Sequence, residues 1–190
     1  PGSTCGSRMV EHPDVNKIAF TGSTEVGRGI AAGAAGSIKR VTLELGGKSA
    51  TVVFADADIE QAAAAAPYAV FGNAGQDCCA RSRILVERSQ VDRFLSVMES
   101  TVKAMRVGDP FDDSTEMGPL ISASHRENVA SFVPDESEVA FRGDAPDGPG
   151  FWFPPTVLSP VSNSDRVARE EIFGPVACVI PFDGEAEAIR

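Results

Sequence analysis

The alternation of apolar and polar positions changes period several times along the chain, and each change marks an element. Val15–Phe20 reads as a short strand. Thr21-Gly22-Ser23 then turns the chain into a helix expected from Thr24 to about Ala35, with Ser23 as its cap, because a serine hydroxyl can accept from a first-turn amide. Gly36-Ser37 ends that helix, Lys39–Leu45 alternates as a strand, and Gly46-Gly47 breaks it. Thr51-Val52-Val53-Phe54 is a continuous apolar run, which predicts a strand buried on both faces. Asp56 or Asp58 can cap a helix through the alanine-rich stretch to roughly Gly72. Gly75–Ala80 is a turn, and Ile84-Leu85-Val86 is a second buried strand. Val91, Phe94, Leu95, Met98, Val102 and Met105 recur at helical spacing, so Val91–Met105 is a helix with one apolar face. Gly108–Pro119 is a loop and Ala123–Phe132 a helix. The polar segment Pro134–Gly150 holds at most one strand, Glu138–Arg142. Pro155–Val161 and Val176–Phe182 are strands.

Strands alternating with helices over most of the length predict an α/β fold, with a mostly parallel sheet and flanking helices. A boundary fits best near Glu44–Lys48, where the glycine pair interrupts the pattern. The 190 residues carry 17 basic and 27 acidic side chains, a net charge of −10. That surface repels phosphate backbones and anionic bilayers, so neither nucleic acid nor membrane is an expected partner. No apolar run approaches the ~20 residues of a transmembrane helix. The alanine-rich stretch is short and contains Pro67. No leader peptide is visible. The chain opens on Pro1-Gly2 without a starting Met, which suggests a beginning inside a longer protein.

Cysteines stand at 5, 78, 79 and 178, with no CxxC pair, and only His12 and His125 could add imidazole ligands. No metal site is expected. Adjacent Cys78 and Cys79 are poorly placed for a disulfide with each other. Free thiols in a reducing, cytoplasmic setting are the expectation.

Taken singly, the candidate chemical residues are weak. Cys78 lies between a glycine-containing turn and a buried strand, where a thiol can be rigid and yet reached. It needs neighbours that lower its pKa, since the thiolate is the nucleophile. Arg81 and Arg83 are near in sequence, but a small buried hydrophobe is the commoner fate of a lone cysteine. Glu44 has apolar, glycine-rich neighbours that would desolvate its carboxylate and raise its pKa toward that of a general base. A strand-end glutamate in water is the plainer reading. Gly22-Ser23 before a helix could bind phosphate through backbone amides, or be an ordinary connection. Glu170 and Glu171 could be a solvated pair.

In combination and in order, four segments carry a resemblance. They are Phe20-Thr21-Gly22-Ser23-Thr24-Glu25-Val26-Gly27, Leu43-Glu44-Leu45-Gly46-Gly47-Lys48-Ser49, Gly75-Gln76-Asp77-Cys78-Cys79-Ala80-Arg81-Ser82-Arg83 and Glu170-Glu171-Ile172-Phe173-Gly174-Pro175-Val176. They resemble the coenzyme turn, the glutamate motif, the cysteine motif and the nicotinamide-side motif of the aldehyde dehydrogenase superfamily. The interval from Glu44 to Cys78 also fits that family's usual spacing. The resemblance spans essentially the whole chain and is weakest over 134–147. It implies the catalytic domain of that fold (44–190, incomplete at its C-terminus) and the last part of a Rossmann-like coenzyme domain (1–43). Family members are typically more than twice this long. The resemblance therefore implies a fragment of a larger enzyme, without the first part of the dinucleotide fold, an upstream oxyanion-hole Asn and the oligomerisation strand.

The implied activity is oxidation of a small-molecule aldehyde to a carboxylic acid with NAD or NADP. Cys78 is the implied nucleophile, giving a thiohemiacetal and then a thioester, and Glu44 the base that activates water for deacylation. Ser23 and Gly22 would meet the pyrophosphate, Leu45 and Gly46 would border the nicotinamide, Glu171 would hold the ribose, and Phe173 would pack near the ring. Cys79 is implied to be a structural neighbour, and Cys5 and Cys178 inert. Lys48 has no settled role and reads equally as an ion-pair residue. His125 falls where many relatives carry Gln near the ribose, so an exposed helix histidine is the reading kept here. A homodimer or homotetramer is the implied parent assembly. The alternatives are a non-enzymatic fragment and a cysteine esterase at the same site.

Overall fold

The computed structural model describes residues 1–133 and 139–190. The chain divides into two compact units, Pro1–Gly47 and Lys48–Arg190.

In the first unit a π-helical turn at Gly2–Gly6 leads into α1 (Ser7–Glu11). β1 (Lys17–Gly22) runs through Ser23 into α2 (Thr24–Ala35), and β2 (Arg40–Leu45) returns parallel to β1. Parallel neighbours need a crossover, and α2 supplies it. The Ser23 hydroxyl accepts the Val26 amide at 3.3 Å, the expected cap. α2 lies close to β2 because residue 27 is glycine: a Cβ there would come within 2.6 Å of Leu45 Cδ2. Lys39, almost fully buried, donates from Nζ to the carbonyls of His12 (2.6 Å) and Val15 (2.7 Å). This ties the segment before β1 to the segment before β2. α1 escaped the sequence pattern because its five residues bury only Val10, too few for a period to appear.

The second unit is built on a five-stranded sheet. Its elements are β3 (Ala50–Val53), α3 (Ile59–Phe71), β4 (Arg83–Glu87), α4 (Val91–Ala104), α5 (Ala123–Ala130), β5 (Val139–Arg142), β6 (Thr156–Leu158), α6 (Arg166–Arg169), β7 (Val176–Phe182) and α7 (Glu185–Ile189). The order across the sheet is β3-β4-β7-β6-β5, parallel except for the β5–β6 pair. Ile84 and Val86 of β4 and the run Val176–Val179 of β7 are wholly buried, as central parallel strands require. Phe94, Met98 and Val102 bury the inner face of α4.

Two expectations need correction, and a third holds against a local signal. Among the described strands β3 lies at the sheet edge, and it is not buried on both faces: Val52 is 43% exposed while Val53 is buried. An apolar run of four cannot reveal whether a further strand lies beside it. Pro67 does not interrupt α3, although it removes one backbone bond at a typical cost of about 3 kcal/mol. Burial of Ala63, Ala66, Pro67, Val70 and Phe71 along the same helix offsets that loss. The strand read at Pro155–Val161 is only β6, because Pro160 has no N–H to continue a ladder. Of the strand read at Glu138–Arg142, Glu138 lies outside the described residues and the remainder is β5. No described helix is long and apolar enough to cross a membrane.

Candidate active site

Five of the eight candidate residues belong to the first unit. The register of β1 and β2 sets Thr21 beside Glu44 and Gly22 beside Leu45. Gly22, Ser23, Glu44, Leu45 and Gly46 therefore gather at the carboxyl ends of two parallel strands, where open α/β sheets take their ligands. The first-turn amides of the twelve-residue α2 point out of the same end. Glu25 in that turn adds a negative charge, which works against an anion there. Leu45 and Gly46 are half-buried. Glu44 is exposed, on the outward phase of β2. The desolvation expected of its carboxylate is absent, because apolar neighbours in sequence alternate to the other side of a strand.

The other three lie in the second unit. The cysteine turn starts where α3 ends. Asn73, Ala74 and Gly75 adopt left-handed backbone in succession, with φ of 51°, 56° and 69°. Gly75 is required for space as well: a Cβ would stand 2.2 Å from the Gly174 carbonyl oxygen. The turn is thereby seated directly on the Gly174-Pro175 backbone. Gln76 clamps it, accepting the Ile121 amide on Oε1 at 3.0 Å and donating from Nε2 to the Asn73 carbonyl at 3.2 Å.

Asp77, Cys78 and Cys79 follow, all exposed. The Cys79 amide donates to Asp77 Oδ1 at 2.9 Å, and the two thiols face each other with Sγ atoms 3.8 Å apart. Hydrogen bonding to Cys79 pushes the Cys78 thiol above its ordinary pKa. The charge of Cys79, slight desolvation and Asp77 push the same way. This is opposite to the lowering a poised thiolate needs. Arg83 does not supply it, since its Nε donates to the Lys48 carbonyl at 3.0 Å. Cys178 is wholly buried, with Sγ 3.3 Å from the Val167 carbonyl, and burial pushes its thiol up to about 11.

Phe173 holds left-handed backbone at φ 56° with its ring 41% exposed. His125 Nε2 lies 2.6 Å from the Phe173 carbonyl oxygen, so Nε2 carries the hydrogen and donates. The two rings meet edge to face at 6.1 Å. His125 is thus an anchor for Phe173 and not a plain surface histidine; no local pattern could join residues 48 positions apart. Glu171 is half-buried. The Lys48 ammonium is buried without a hydrogen-bond partner, and burial pulls its pKa down, partly countered by the charges of Cys178 and Glu171. A hollow of about 480 Å³ in the same unit is lined by Leu85, Arg88, Pro160, Ile180 and Phe182, among others, and takes in none of the cysteine turn.

The chain is similar to known proteins in sequence and fold. The model of the aldehyde dehydrogenase family matches residues 1–190. A betaine aldehyde dehydrogenase of Rhizobium johnstonii is 42% identical over 97% of this chain and 39% of its own length. An aldehyde dehydrogenase of Emericella nidulans is 42% identical over 100% of this chain and 39% of its own. Among solved structures, betaine aldehyde dehydrogenase of Staphylococcus aureus in complex with NAD+ superposes with a TM-score of 0.93 at 40% identity, covering all of this chain and 39% of that one. A mutant of aldehyde dehydrogenase C from Pseudomonas syringae, complexed with NAD+ and octanal, gives 0.93 at 36% identity, over 100% of this chain and 40% of that one. The chain spans about 39% of the length of the relatives it matches. With a family model matched from end to end, and an α/β fold of mostly parallel strands that superposes on solved members, this chain belongs to the aldehyde dehydrogenase family.

Proposed function

We propose that this chain carries the cysteine and glutamate of an NAD(P)-dependent aldehyde dehydrogenase, whose whole protein oxidises a small aldehyde to its carboxylic acid. The observation that carries the reading is the seating of the Cys78 turn on the Gly174-Pro175 backbone through Gly75, which joins two of the four motifs in one piece of structure. Residues 1–43 then belong to the coenzyme domain and 44–190 to the catalytic domain. The fit to a dinucleotide rests on the α2 N-terminus, where Ser23 closes the first turn and the Phe20 ring fills the space beside Gly22. Gly22 and Ser23 would hold the pyrophosphate, Leu45 and Gly46 would border the nicotinamide, Glu171 would bind ribose hydroxyls, and the exposed Phe173 ring would lie against the nicotinamide. The coenzyme, when bound, supplies the hydride acceptor; the relatives solved with NAD+ favour that form.

Cys78 attacks the carbonyl carbon and holds the substrate as a thiohemiacetal, then as a thioester. Its own backbone N–H can donate to the oxyanion, an interaction typically worth roughly 3–4 kcal/mol. Glu44 takes a proton from the water that cleaves the thioester. A Cys78→Ala variant of the whole enzyme loses both dehydrogenase and esterase turnover, by on the order of 10⁴-fold or more. Retained turnover would overturn the nucleophile. Glu44→Gln leaves a burst of NADH followed by slow release; unchanged steady-state turnover would overturn the base. The raised Cys78 thiol and the water-facing Glu44 also support a second reading, in which these 190 residues alone are an unactivated fragment. Calorimetric titration of NAD+ into the 190-residue chain separates the two, because saturable micromolar binding contradicts the fragment.

A further inference from the structure

The sequence offers no CxxC pair, so a thiol-based ion site goes unnoticed until the turn is folded. Adjacent residues normally send their side chains apart. Here Cys78 and Cys79 instead turn their sulfurs to 3.8 Å. Two thiolates bound to one tetrahedral zinc at about 2.3 Å stand about 3.8 Å apart, so the pair already holds the bite of a chelate. A third donor is in place. One ligand atom from each of Asp77, Cys78 and Cys79 lies within 4.8 Å of the others, and the Cys79 amide fixes the Asp77 carboxylate through Oδ1. All three residues face solvent, so an ion can enter and leave.

We propose that Asp77, Cys78 and Cys79 form a reversible binding site for a thiophilic divalent cation of the zinc type. Two metal–sulfur bonds form as two thiol protons pass to solvent, the Asp77 carboxylate adds an oxygen ligand, and water fills the fourth position. The two sulfurs already lie within hydrogen-bonding reach of each other, at the separation the ion would require. The other cysteines do not match these terms: Cys178 is buried against the Val167 carbonyl, and among the described residues Cys5 belongs to no such group. One consequence rests on the proposed role of Cys78: while the ion is bound, the sulfur lone pair is engaged and the nucleophile is blocked.

The test uses the reduced, chelator-treated chain and zinc chloride or cadmium chloride alone. Calorimetry should give one ion per chain with release of about two protons, and cadmium should give a sulfur-to-metal charge-transfer band. Cys79→Ser and Asp77→Asn should each weaken binding by about tenfold or more, and Cys5→Ser should leave it unchanged. Exposed positions make these variants safe to fold, and Cys79→Ala checks that the loss follows the thiol. Binding as tight in Cys79→Ser as in the unaltered chain would overturn the site. In the whole enzyme, zinc should suppress turnover, a chelator should restore it, and Cys79→Ser should lose the suppression. Zinc that binds with full stoichiometry and leaves turnover intact would uphold the site and overturn Cys78 as nucleophile. Absent binding, together with the loss of turnover in Cys78→Ala, would do the reverse.

Discussion

The chain turns sharply at two places that matter, and it holds them by different means. Gly22-Ser23 is fixed by its flanks: a strand ladder before it, a twelve-residue helix after it, and one side-chain cap between. The turn from Gly72 to Ala80 has a helix before it, but three left-handed residues, a glutamine clamp and a glycine-to-carbonyl contact set its course. The first is local structure continuing itself. The second is tertiary structure imposed on a short peptide, and residues at that kind of site carry strain that the surroundings must hold.

The contrast can be broken by substitution. Gly75→Ala should have the largest effect, about 3 kcal/mol or more, since it adds left-handed strain to a collision with the Gly174 carbonyl. Chemical denaturation of the variant measures it, with Gly72→Ala as the control because a Cβ there meets nothing within 4 Å. Equal stability of the two variants would remove the argument for the second turn. Gln76→Ala should cost about 1–2 kcal/mol, because two backbone groups exchange the glutamine for water. The same change should speed alkylation of Cys78, and an unaltered rate would mean that the clamp does not govern the thiol. Ser23→Ala should cost least, about 0.5–1 kcal/mol, as the cap bond is long and exposed. A larger loss there than at Gln76 would reverse the comparison.

The thiols sharpen it further. Because Cys79 pushes the Cys78 thiol above its ordinary pKa, alkylation of Cys78 should gain speed only above the usual cysteine range. Cys79→Ala should move that rise to lower pH. A profile unchanged by the substitution would show that Cys79 is not the cause.

The same division explains what could be read from the chain unaided. The Ser23 cap, the helix faces of Phe94, Met98 and Val102, and the buried strands β4 and β7 announce themselves through period and propensity, which are local. So does the order of the four motifs. The edge position of β3, the exposure of Glu44, the anchoring of Phe173 by His125 and the pairing of the Cys78 and Cys79 sulfurs do not. Each depends on which residue from far along the chain arrives beside it, or on which side of a strand a carboxylate falls. Pro67 shows the converse. A strong local signal against a helix was overridden by burial of the residues around it.

Phe173 deserves a different accounting. Its backbone stands at φ 56°, a conformation that glycine adopts freely and that costs other residues roughly 1–2 kcal/mol. The residue beside it, Gly174, is already glycine for want of room against Val129. A chain shaped by stability alone would spend a second glycine at 173. This one keeps a large ring there, half in water, on a backbone that resists it. Replacing Phe173 by glycine should relieve the backbone and remove the ring together, so position 173 is where a gain in stability and the loss of an exposed aromatic surface come as one change.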